Sequence, residues 1–140
     1  MAYLITDDNR IAPSLEVIEQ LARRAMQSLP DEIMKFARDV AVQVTDFPDD
    51  ETIEQLELES PFDILGLYTG VDLPERSIAD VGRLPDIVHL YRRPILDYWC
   101  DSGDELGDIV RHVLIHEIGH HFGLSDDDMA ALEDDEDDDA

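Results

Sequence analysis

The sequence predicts one α+β domain, and three observations predict it. Three short apolar runs, Val40–Val44, Ile64–Tyr68 and Ile87–Tyr91, are bounded by turn residues and read as strands. Two longer stretches repeat their apolar residues at spacings of three and four and read as helices. A chain of 140 residues, 44% of them hydrophobic, has the length of a single domain and enough apolar material for one core.

The elements follow in order. Residues 1–12 read as a loose arm. Pro13-Ser14 opens the first helix, whose face is Leu15, Ile18, Leu21, Ala22, Ala25 and Met26; Leu29-Pro30 ends it. Asp31 to Phe36 reads as a short helical turn. The first strand, 40–44, closes at Asp46-Phe47-Pro48, and Thr52 to Leu58 reads as a short helix stopped before Pro61. The second strand contains Gly66, which permits close backbone approach. Residues 69–76 read as a loop. The third strand ends at Arg92-Arg93-Pro94, and Ile95 to Trp99 reads as a helical segment. The main helix starts near Asp104, takes its apolar face from Leu106, Ile109, Val110, Val113, Leu114 and Ile118, and stops at Gly123. A short helix over Asp126 to Leu132 precedes the acidic end.

Charge limits the partners. There are 35 acidic residues against 10 basic, a net charge of −25. Residues 126–139 hold ten of the acids and no base. Such a surface repels nucleic acid and anionic lipid and attracts cations and basic peptides. Cys100 is the single cysteine, which excludes an intramolecular disulfide. The N-terminal residues have no basic segment followed by an apolar run, so a cytoplasmic monomer is expected.

One stretch carries chemistry: His116-Glu117-Ile118-Gly119-His120-His121-Phe122-Gly123-Leu124-Ser125-Asp126, an H-E-x-x-H-x-x-G-x-x-D pattern. Helical residues four apart lie about 40° apart around the axis and about 6 Å apart along it, so both imidazoles can reach one metal ion. Glu117 is then set to act on a metal-bound water rather than on the metal. Gly123 can turn the chain and return Asp126 as a third ligand. Asp127 and Asp128 lie beside it, and a solvated acidic run is the plain alternative; the spacing favours Asp126 as the ligand. Two histidines and a carboxylate also describe non-haem iron sites; the Glu beside the first His of a helical pair favours zinc. His112, one turn before His116, reads as an ordinary, partly exposed histidine, with a weak-ligand role as the alternative. Gly119 allows close approach of a strand or substrate, or is merely tolerated.

The pattern resembles the extended zinc motif of the metzincins, with Asp in place of the third His. With Gly66-Leu67-Tyr68-Thr69-Gly70, Leu84 to Arg92 and Pro94-Ile95-Leu96, the region from about 60 to 132 resembles the small bacterial predicted zinc metallopeptidases of the minimal zincin fold. The resemblance implies a small mixed sheet packed on the helix that carries HExxH. By length, residues 1–132 are expected to form one domain, and by its like charges 133–140 a disordered acidic tail. The resemblance implies one zinc ion held by His116, His120 and Asp126, with Glu117 as general base for hydrolysis of a peptide or protein by a zinc-activated water. It also implies that substrate lies along Ile87 to Tyr91 as an edge strand. His89, Tyr68, Tyr91 and His121 are the candidate oxyanion donors. Met129 follows Asp126 too closely for the Met-turn of true metzincins and reads as a core residue. The alternative function is a non-catalytic zinc-binding module, which Asp127, Asp128 or Cys100 would favour by closing the coordination sphere. An acidic mimic of nucleic acid rests on charge alone.

Overall fold

The computed structural model describes residues 11–70 and 86–139, with side chains as far as Glu133. The expected arm over residues 1–10 and most of the loop 69–76 lie outside the described residues. Six helices and three strands are described: α1 (Leu15–Gln27), α2 (Asp31–Ala37), β1 (Ala41–Thr45), α3 (Asp50–Gln55), β2 (Gly66–Thr69), β3 (Ile87–Tyr91), α4 (Arg92–Ser102), α5 (Leu106–His121) and α6 (Asp126–Asp139).

Helix α1 starts where the sequence places it. The Ser14 side chain accepts from the Val17 amide at 3.2 Å, and Ile18, Ala22 and Ala25 are buried. Helix α3 starts two residues early because Asp49 caps it through the Thr52 amide at 2.8 Å. It ends at Gln55, and Glu57 then takes a positive φ of 54°. Helix α4 begins at Arg92, not Ile95. Pro94 is its third residue, where the missing N–H leaves no intrahelical bond unmade.

The sheet is mixed, in the order β1-β3-β2. Strands β1 and β3 run parallel with Ala41 opposite Ile87; β2 and β3 run antiparallel with Gly66 opposite Leu90. Strand β3 is therefore central. The expectation that Ile87–Tyr91 offers an edge to substrate is corrected here: both sides are paired, and the edges among the described residues are β1 and β2.

Helix α5 lies across this sheet. Ile109, Val110, Val113, Leu114, Ile115 and Ile118 are buried among Val88 and Leu90 of β3, Ile18 and Ala22 of α1, and Ile33 of α2. Each such side chain contributes about 1.5–3 kcal/mol of burial free energy, so α5 is the best-anchored element of the fold.

Gly66 sets how closely β2 approaches this helix. A Cβ there would lie 2.6 Å from Val113 Cγ1 and 2.9 Å from the His89 carbonyl oxygen. Two residues along a strand and four along a helix both advance roughly 6–7 Å. The contact of Gly66 with Val113 is thus followed, one step on, by Tyr68 beside Glu117. Helix α6 runs on to Asp139 where the sequence reading ends the folded body at 132.

Candidate metal centre

The end of α5 is built by its glycine. Gly123 has φ +90°, its amide donates to the His120 carbonyl at 3.1 Å, and the Leu124 amide donates to the Gly119 carbonyl at 2.9 Å. That pair of bonds is the Schellman arrangement, which turns the chain back along the helix it has just left. Ser125 and Asp128 then exchange side-chain-to-amide bonds at 3.2 and 3.1 Å, a capping box that starts α6. Asp128 is consumed by this cap.

The turn brings Asp126 back to the helix. Its Oδ1 lies 2.7 Å from His120 Nε2. One donor atom each from His116, His120 and Asp126 lies within 4.8 Å of the others. Among the described residues, no group able to converge on a metal contains Asp127, Asp128 or Cys100. Helix spacing places His116 beside His120, with ring centroids 5.6 Å apart.

Glu117 turns to the other side, toward the sheet. Its Oε1 accepts from the Tyr68 amide at 3.2 Å. Burial pushes its carboxyl above the usual carboxylate range, against the smaller opposing pulls of the Tyr68 amide and of His120. Burial likewise lowers His116, helped by the neighbouring His112 and opposed by Glu133 and Asp126. A neutral imidazole is the form that binds metal.

The family model for zincin-like metallopeptidases matches residues 37–136. The chain belongs to this family. Its fold also matches a solved structure, that of a conserved hypothetical protein from Thermo thermophilus. That match has 20% identity and a TM-score of 0.50, covering 78% of this chain and 94% of that one. A search of curated proteins gives no match. No described helix is long and apolar enough to cross a membrane.

In this zincin-like chain the four suggested oxyanion donors have distinct surroundings. The Tyr68 hydroxyl donates to Asp86 Oδ2 at 3.0 Å, and its ring stacks on His121 at 3.8 Å. His89 Nε2 lies 3.1 Å from Thr69 Oγ1, and burial lowers its pKa against the raising effect of Asp49. Tyr91 is buried, and burial, with Asp49 and Glu117 adding to it, pushes its hydroxyl up to about 12.

Met129 is fully buried and packs over Gly119, where an added Cβ would overlap its sulfur. Gly119 thus admits α6, not a strand or substrate. Two site residues escape sequence reasoning. The Tyr68 contribution is a backbone amide, which no side-chain pattern marks. Glu133, whose carboxylate lies 2.9 Å from His112 Nδ1, was hidden within the acidic run. Its seven-residue distance from Asp126, two helical turns, was the available signal.

Proposed function

We propose that this chain is a zinc-dependent peptidase in which His116, His120 and Asp126 hold one zinc ion and Glu117 is the general base. The observation that carries the reading is the convergence of those three donors beside a half-buried carboxylate whose pKa is raised. The donor set fits zinc: two imidazoles and a carboxylate are three protein ligands, which leave a coordination position open. A closed structural site would need a fourth donor, and none of the suggested ones joins the set.

Zinc, when bound, supplies a Lewis acid and a water acidified to near neutrality. The chain's own part is proton handling. The Tyr68 amide holds Oε1 of Glu117, so Oε2 receives the proton and later returns it to the leaving amine. A carboxyl with a raised pKa is better matched to that exchange near neutral pH than an ordinary one. Substrate would lie extended along β2, which pairs on one side only among the described residues, with Tyr68 beside the base. Strand addition of this kind uses backbone hydrogen bonds and makes little demand on sequence. The net charge of −25 favours basic peptides over nucleic acid or anionic membranes.

Chelation followed by stepwise return of zinc tests the reading. Cleavage of a mixed peptide library should vanish and then recover in proportion to zinc, reaching its plateau at one ion per chain. Cleavage that survives chelation, or an absence of cleavage at every zinc loading, would overturn it.

A further inference from the structure

The metal-facing side of α5 carries three histidines, not two. His112, His116 and His120 recur every four residues and so form one stripe, each about 6 Å from the next along the axis. Helix α6 returns beside this stripe and supplies a carboxylate at each end. Asp126 lies against His120 at 2.7 Å, and Glu133 against His112, its two oxygens 2.9 and 3.2 Å from Nδ1. His116 lies between them, with its ring centroid 4.0 Å from that of His112. One donor each from His112, His116 and Glu133 lies within 4.8 Å of the others, the same closeness found for His116, His120 and Asp126.

The outer set is the better enclosed at its carboxylate. The Glu133 side chain is 20% exposed, against 77% for Asp126. A cavity of about 390 Å³ opens beside it, lined in part by Asp104, Asp108, His112 and Glu133. It gives room for water to complete a coordination shell, and a carboxylate-lined route for a cation to enter.

We propose that His112, His116 and Glu133 form a second zinc position that shares His116 with the first. A neutral imidazole offers one acceptor nitrogen, so His116 serves one position at a time and the two exclude each other. Glu117 belongs to neither donor set, and its Oε1 is held by the Tyr68 amide on β2. This second position stands on its own donors and does not require that the first one turn over substrate.

The test is zinc binding by the full chain, measured by equilibrium dialysis, with Co2+ visible absorption reporting histidine coordination. The inner variant, His120→Ala with Asp126→Ala, should still bind one zinc per chain. Adding His112→Ala or Glu133→Gln to it should weaken that binding by about tenfold or more, since even groups behind the ligands contribute on that scale, and should change the Co2+ spectrum. An inner variant that binds nothing, or whose binding ignores both additions, would overturn the proposal. His120→Ala alone, on which the same additions can be made, gives the same reading if the double change unfolds the chain. Wild type that binds no zinc would sink this position and the peptidase reading together. Wild type that binds while the inner variant does not sinks this one alone.

Discussion

Glu117 is placed where its charge is unwelcome, and that makes it measurable. Its carboxyl titrates above the ordinary value because burial disfavours the anion. In the unfolded chain it titrates near 4.3. Between those two values the folded protein holds more protons than the unfolded one, so this residue's contribution to stability falls as pH rises. In metal-free protein, Glu117→Gln should therefore be more stable than wild type at pH 7, and the gain should disappear below about pH 4. Gln can still accept from the Tyr68 amide, so that bond is kept. Denaturant titration at the two pH values decides it; an equal or less stable variant at pH 7 would mean that the charged form is not disfavoured. Gly119 offers a second residue-scale test. Alanine normally stabilises a helix by about 1 kcal/mol over glycine. Here its methyl would overlap Met129, and overpacking of that kind costs about 1–3 kcal/mol. Gly119→Ala should destabilise, and in a Met129→Ala background the same change should become neutral or favourable.

At the scale of elements, the site depends on how β2 and α6 meet α5. Strand β2 delivers the Tyr68 amide, and it can do so because Gly66 lets it pack on Val113. Gly66→Ala should push β2 away, destabilise the fold by about 1–3 kcal/mol, and weaken the hold on Glu117. Thermal melting measures the first effect. Peptidase turnover measures the second and should fall while zinc affinity is unchanged. Much of this level was legible. Ser14 and the spacing of Ile18, Ala22 and Ala25 fix α1, the β-branched run near 40–44 marks β1, the apolar run Ile87–Tyr91 marks β3, and Gly123 fixes the end of α5. What was not legible depends on partners distant in sequence. Nothing in Ile87–Tyr91 says that both of its sides are paired. Arg92-Arg93-Pro94 reads as a break, since only context distinguishes a proline in the first turn of a helix from one that ends a strand. The spacing from His120 already singles out Asp126 from the acidic run, but the cap that Asp128 makes with Ser125 is visible only in the structure.

At the scale of the whole molecule, charge dominates. A net −25 on 140 residues repels itself, and salt screens that repulsion. The melting temperature of metal-free protein should rise from low ionic strength to about 0.5 M sodium chloride, where screening reaches only a few ångströms; a flat response would mean that this repulsion does not limit stability. Zinc should raise it further at fixed salt, because a ligand that binds only the folded state stabilises it by mass action. The fold itself is economical: one edge strand, one long helix and one returning helix bring together His116, His120, Asp126, Glu117 and the Tyr68 amide. Whether that assembly performs hydrolysis is best tested by exposing a mixed peptide library to zinc-loaded wild type and to zinc-loaded Glu117→Gln, with cleavage read by mass spectrometry. The account predicts cleavage by wild type, a loss of about 10²–10⁴-fold in the variant, and equal zinc content in both. Equal cleavage by the two proteins would contradict it.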